Sequence, residues 1–357
     1  MLAIAAVGFT MQFGISDMIN LAYGSPGFRG TIFGSRHQHD AGDRFRGGEP
    51  MKLLMFQHGS ERRLGVVRTN TADEVIDVAE LSGGSGTLPT DVLAVVDSGQ
   101  EGLDRLAELV ASARASSGSW VRKLGDLAVL APLDPPRGNV LAIGRNYQKH
   151  AEEGARALGT EVGPPTIFTK AITTIVGPYA DIPIDASVSD KIDWEVELGV
   201  VMGRRGANIK REDALDHVFG YTVVNDVTAR DIQHGWGGQW FKGKSLDGSC
   251  PTGPWVLTAD EIPDVRSLQL HLRVNGVLKQ DANTRDMIYP VDAIIEWLSI
   301  GMTLLPGMLI ASGTPEGVGF ARTPPEFLQP GDILETEIEG VGTLRNRLVA
   351  AGVLAGS

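Results

Sequence analysis

Three stretches of the chain carry residue types that could do chemistry together. The first is Lys191-Ile-Asp-Trp-Glu-Val-Glu-Leu-Gly-Val-Val-Met202, with acids at Asp193, Glu195 and Glu197. In a strand, that period of two puts the three acids on one face and Trp194, Val196 and Leu198 on the other. Like charges so close repel, and burying them is costly unless a cation compensates. A solvated edge-strand face is the plain alternative. The second stretch, Phe219-Gly-Tyr-Thr-Val-Val-Asn-Asp226, is an apolar strand ending on a carboxylate. Alone, Asp226 reads as a cap for the next turn. Near the E-x-E strand it would complete an all-oxygen site suited to Mg²⁺ or Mn²⁺, with positions left for water and substrate. The third is Gly144-Arg-Asn-Tyr-Gln-Lys-His-Ala-Glu-Glu153. His150 and Glu153 share a face if the segment is helical. A carboxylate on an imidazole fixes its tautomer and raises its basicity, as a general base requires. An incidental surface pair is the alternative.

One motif misleads. Gly238-Gln-Trp-Phe-Lys-Gly-Lys-Ser245 matches the phosphate-binding pattern G-x-x-x-x-G-K-[ST]. That pattern works only between a buried strand and a helix whose N-terminus faces the phosphates. Gly248, Pro251, Gly253 and Pro254 follow at once and forbid the helix. Lys244 stays of interest as a cation for an anionic substrate.

The elements that must position these groups are mostly short strands. Residues 51–131 read as a small mixed unit, with strands at Lys52–Gln57, Leu64–Arg68 and Glu74–Val78, a helix from Thr90 and another over Glu101–Ser116. The prolines of Ala131–Asn139 mark a boundary. Beyond it, Asn275-Gly276 signals a type I′ hairpin between Leu270–Val274 and Val277–Gln280. A second hairpin joins Ile333–Ile338 to Thr343–Val349, and Arg211–Val218 and Val291–Ser299 read as helices. Residues 1–50, rich in Gly, Arg and His toward their end, read as a disordered extension or a misassigned start, with a short metal-binding His37/His39 tract as the alternative.

Composition narrows the function classes. The 357 residues carry a formal net charge of −12, which disfavours nucleic-acid or anionic-membrane partners. No apolar run is long enough to span a bilayer. The lone Cys250 cannot form an internal disulfide, which fits a cytoplasmic location.

Read in order, six segments resemble the fumarylacetoacetate hydrolase family, in its short bacterial branch. They are GRNYQKHAEE, DWEVELGVVMGR, GYTVVNDVTARDIQ, QWFKGKSLDGSCPTGPW, VNGVLKQDANTRDMIYP and SGTPEGVG, and they fall between residues 140 and 349. The resemblance implies a β-rich α+β fold: a mixed β-sandwich roll over 138–355 behind a small N-terminal α/β domain at 51–131, in a homodimer. It places a divalent metal, Mg²⁺ or Mn²⁺, on Glu195, Glu197 and Asp226. Catalysis falls to His150, Glu153 and Lys244, and substrate contacts to Arg145, Tyr147, Arg230, Gln233 and Thr314. One departure is Met308 after Pro-Gly, where the family usually has Asp; no catalytic consequence follows. The implied activity is metal-dependent hydrolysis of a C–C bond in acylpyruvate- or fumarylacetoacetate-like 2-oxo acids, as in aromatic-compound catabolism. Dyad-activated water attacks the distal carbonyl, and the departing enolate is held by the metal and Lys244. The same enolate serves isomerisation of 2-hydroxyhepta-2,4-diene-1,7-dioate-type acids or decarboxylation of oxaloacetate-type acids, so those readings stay open.

Overall fold

Apolar runs between Gly and Pro turns become strands in the computed structural model, which describes residues 51–351 apart from 69–72, 84–87, 114–117, 162 and 164–165. The readings of residues 1–50 lie outside the described residues. Along the main sheet the strands run Val121–Lys123, Glu74–Asp77, Glu61–Val67, Lys52–His58, Cys250–Thr258, Val218–Asn225, Val196–Met202, Leu309–Ala311, Val140–Gly144 and Thr166–Lys170. A second sheet has the order Val277–Asn283, Gln269–Val274, Ile333–Ile338, Gly342–Ala350 and Ile182–Ile184. Trp194, Leu198 and Tyr221 of the first region pack in one core with Leu270, Leu334 and Leu344 of the second. With a few helices, chiefly Gly99–Ala113, Gln148–Leu158 and Val291–Ser299, this is a β-rich α+β fold. Among the described residues, no helix is long and apolar enough to cross a membrane.

Residues 51–131 extend the same sheet. Lys52 pairs with Leu257, and Leu103, Leu106 and Val110 of the helix Gly99–Ala113 share a core with Leu53, Val66 and Val201. Each such Leu or Val contributes about 1.5–3 kcal/mol by leaving water. The helix expected from Thr90 forms over Val92–Asp97, where the Asp91 side chain accepts the Ala94 N–H at 2.8 Å. The Asn275-Gly276 turn has φ of 52° and 78°, the pair of positive values a type I′ turn demands. The helix expected over Arg211–Val218 forms over Arg211–His217 as a 3-10 helix.

One expectation is corrected. Asp193, Glu195 and Glu197 do not share the face of one strand. Ile192–Asp193 pairs with Thr228–Ala229, pairing lapses at Trp194 and Glu195, and the long strand begins at Val196. All seven residues of Val196–Met202 are buried. Leu198 and Val200 enter one core and Val201 the other, so the period of two separates two cores, not core from water. The strand runs between Val218–Asn225 and Leu309–Ala311.

Candidate active site

Two central strands deliver the acids to one place. Val196 pairs with Asn225, so Glu195 and Asp226 emerge side by side, and the Asp226 N–H donates to the Glu195 carbonyl at 2.9 Å. Asn225 locks that end. Its Oδ1 accepts the Glu195 N–H at 3.0 Å, and its Nδ2 donates to Thr336 Oγ1 at 3.0 Å. The carboxylates of Glu195, Glu197 and Asp226 are buried, with one oxygen of each within 4.8 Å of the others.

Three buried cations surround them. Lys244 Nζ lies 2.7 Å from Glu195 Oε2 and 2.8 Å from Asp226 Oδ2. Lys170 Nζ lies 2.8 Å from Asp226 Oδ1 and also donates to the Val227 carbonyl at 3.2 Å. Arg230 Nη2 lies 2.7 Å from Glu195 Oε1. Burial pushes the Glu195 carboxyl up, but Lys244 and Arg230 outweigh it and hold it at about 2. Glu197 differs. Burial, then Asp226 and Glu195, drive its carboxyl well above the usual range. Its Oε2 accepts the Gly313 N–H at 2.8 Å, and among the described residues no ammonium or guanidinium pairs with it. A hard divalent cation fits this set: three converging carboxylate oxygens, one of them on a carboxyl with no paired cation among the described residues.

Across the cleft, the helix Gln148–Leu158 presents the His–Glu pair. His150 Nδ1 lies 3.0 Å from Glu153 Oε1, and both Glu153 oxygens accept the Gly317 N–H at 3.0 and 3.1 Å. Gly317 has φ of 99°, and a Cβ there would sit 2.1 Å from the Lys279 carbonyl oxygen, so this turn admits only glycine. His150, Glu195, Glu197, Lys244 and Thr314 line one cleft. Thr314 is fixed from behind: Gln280 Nε2 donates to its Oγ1 at 2.9 Å while Gln280 Oε1 accepts the Val196 N–H at 3.0 Å.

The remaining expected substrate contacts divide. Arg145 lines the cleft with its guanidinium 5.6 Å from the centre of the Trp240 ring, and Gln233 lines it too. Arg230 also lines it, but its nitrogens face Asp193, Gln233 and Glu195. Tyr147 does not line it. The side chain is buried in the main core, and its hydroxyl has no hydrogen-bond partner among the described residues. Burial and the nearby Glu197 raise that hydroxyl well above its ordinary range. The phosphate-loop lookalike forms turns that carry Lys244 to the carboxylates, with no helix after it.

Three contributors went unforeseen: Lys170, Gln280 and the true position of Asp193. Strand parity marks the first two, since Phe168 and Lys170 both face inward, as do Gln280 and Ala282. An inward Lys or Gln must find a polar partner.

The chain resembles known proteins in sequence and in fold. Residues 139–349 match the family described as fumarylacetoacetate (FAA) hydrolase, C-terminal. The chain is 42% identical over 247 residues to the oxaloacetate tautomerase YisK of Bacillus subtilis, covering 68% of this chain and 80% of that protein. The structure of a fumarylacetoacetate hydrolase from Exiguobacterium antarcticum is 35% identical with a TM-score of 0.68, over 84% of this chain and 99% of that one. A maleylpyruvate hydrolase from Sphingobium sp. SYK-6, in complex with manganese(II) and pyruvate, is 29% identical with a TM-score of 0.67, over 85% and 100%. A shared fold and a match over residues 139–349 together mean that the chain belongs to the fumarylacetoacetate hydrolase family.

Proposed function

We propose that this protein binds a short 2-oxo acid through a divalent cation, Mg²⁺ or Mn²⁺, and moves a proton on it with the His150–Glu153 pair. The observation behind this reading is that Glu195 and Glu197, two of the three converging carboxylates, line the same cleft as the His150 imidazole. Glu195, Glu197 and Asp226 would hold the cation. When bound, it would polarise the 2-oxo group and favour negative charge on its oxygen. Lys244, pinned between Glu195 and Asp226, keeps a positive charge beside an anionic substrate. Glu153 on Nδ1 leaves His150 Nε2 to take or return the proton. Arg145, Gln233 and Thr314 contact the substrate, with Arg230 holding the Gln233 side chain.

Keto–enol interconversion of an oxaloacetate-like acid is the reaction we assign, on the 42% identity to the tautomerase. Hydrolytic C–C cleavage of an acylpyruvate is the second reading. The same dyad suits activation of a water, and the manganese- and pyruvate-bound maleylpyruvate hydrolase supports it. A panel decides: oxaloacetate, acetylpyruvate and a 2-hydroxyhepta-2,4-diene-1,7-dioate, each with Mg²⁺, Mn²⁺ or chelator. Oxaloacetate tautomerisation should be fastest and should stop on chelation. Pyruvate released from acetylpyruvate at a higher rate would move the assignment to the hydrolase, and metal-independent turnover would sink both. We place the protein in the cytoplasm as a homodimer. Light scattering that returned the mass of a single chain would remove the dimer.

A further inference from the structure

Asp193 stands two residues before Glu195, is completely buried, and lies outside the trio of converging carboxylates. Its two oxygens accept four hydrogen bonds. Oδ1 takes the Trp194 N–H at 2.8 Å and the Gly319 N–H at 2.6 Å. Oδ2 takes the Phe320 N–H at 3.0 Å and Arg230 Nε at 2.8 Å. Two lines of contact leave from there. One passes through Arg230, whose Nη2 sits 2.7 Å from Glu195 Oε1, into the carboxylate cluster. The other follows the chain from Gly319 back to Gly317, whose N–H holds the Glu153 carboxylate and through it His150. The lines touch again where the Arg230 guanidinium packs 4.5 Å from the centre of the Phe320 ring. The fit is tight, since a Cβ on Gly319 would lie 2.7 Å from Asp193 Oδ1 and 2.1 Å from the Glu326 carbonyl oxygen. An ionised carboxylate offers acceptors on both oxygens, whereas asparagine would turn an NH₂ toward donors already there.

We propose that Asp193 is a positioning residue that couples the carboxylate cluster to the His150–Glu153 pair, so that one buried group sets both walls of the cleft. This rests on the reading of the cleft as a metal-dependent site for 2-oxo acids. A divalent ion that draws on Glu195 is then felt, through Arg230 and Asp193, at the turn that holds Glu153.

The test uses the full chain as wild type, Asp193→Asn, Glu153→Gln and the double variant, with Mn²⁺ as the probe. In the wild type, Mn²⁺ should slow amide exchange in residues 317–320 and 148–158. In Asp193→Asn, Mn²⁺ should still bind, with Kd raised less than about tenfold, but the slowing in those segments should vanish. With oxaloacetate as substrate, each single variant should lose at least about tenfold in kcat, and the double should fall within about twofold of Glu153→Gln, as coupled neighbours do. A merely structural Asp193 would give multiplicative losses and undiminished exchange protection, and either result overturns the coupling. Should Asp193→Asn fail to fold, Arg230→Lys takes its place in both measurements, since it keeps a charge for Glu195 and loses the Nε contact. Unchanged kcat in Glu153→Gln would defeat the reading of the dyad, while the exchange experiment would still judge the coupling. A wild type that does not bind Mn²⁺ would overturn both.

Discussion

His150→Ala is expected to lower kcat by about 10²-fold or more while leaving the affinities for Mn²⁺ and for oxalate, a non-reactive 2-oxo acid mimic, within about threefold. The size follows from what a positioned base contributes. The selectivity follows from the geometry: the imidazole is anchored through Glu153 to the Gly317 turn, on the helix side of the cleft, and is not one of the three converging carboxylates. Binding and turnover therefore come apart in this variant. A loss of packing alone would lower both together with the melting temperature. Equal turnover by wild type and His150→Ala would end the role of the pair as proton carrier.

Glu197→Gln is expected to do the reverse: to raise the Kd for Mn²⁺ by at least about 10²-fold and abolish turnover, yet raise the melting temperature of the metal-free protein. Glu197 is the carboxylate that no ammonium or guanidinium pairs with among the described residues, pushed up by burial, Asp226 and Glu195. A carboxyl whose folded-state value lies above its unfolded one binds its proton more tightly when folded. Its contribution to stability is thus fully present below the ordinary carboxylate range and is lost as pH rises from there up through the raised folded value. The metal-free wild type should consequently lose stability relative to Glu197→Gln as pH rises above the ordinary carboxylate range, and saturating Mn²⁺ should reverse the order. Thermal melts of both proteins from that range upward, with chelator and with Mn²⁺, measure the difference. A variant that melts lower than wild type without metal would show that Glu197 is not the strained member of the cluster.

Local spacing made much of this site legible. His150 and Glu153 meet because a helix brings every third residue round, and the Asn275-Gly276 turn forms because few other pairs tolerate two positive φ values. What stayed hidden depends on partners distant in the chain. Lys170 reaches Asp226 56 residues on, and no period of two or 3.6 encodes that meeting. The alternation that pointed to Asp193, Glu195 and Glu197 as one row was a true pattern with a wrong continuation. The N–H groups of Gly319 and Phe320, over a hundred residues away, draw Asp193 out of line. Arg230 illustrates the same limit, since nothing local tells that its guanidinium faces Asp193, Gln233 and Glu195.

The ammonium of Lys244 between Glu195 and Asp226, with Lys170 behind, gives the protein counterions of its own. A site built only of carboxylates would be held shut by its metal and would fly apart without it. Here two of the three acids keep a partner whichever ion is on hand. On the proposed reading, metal loading would accordingly be an exchange of one cation's company for another's and not a folding event.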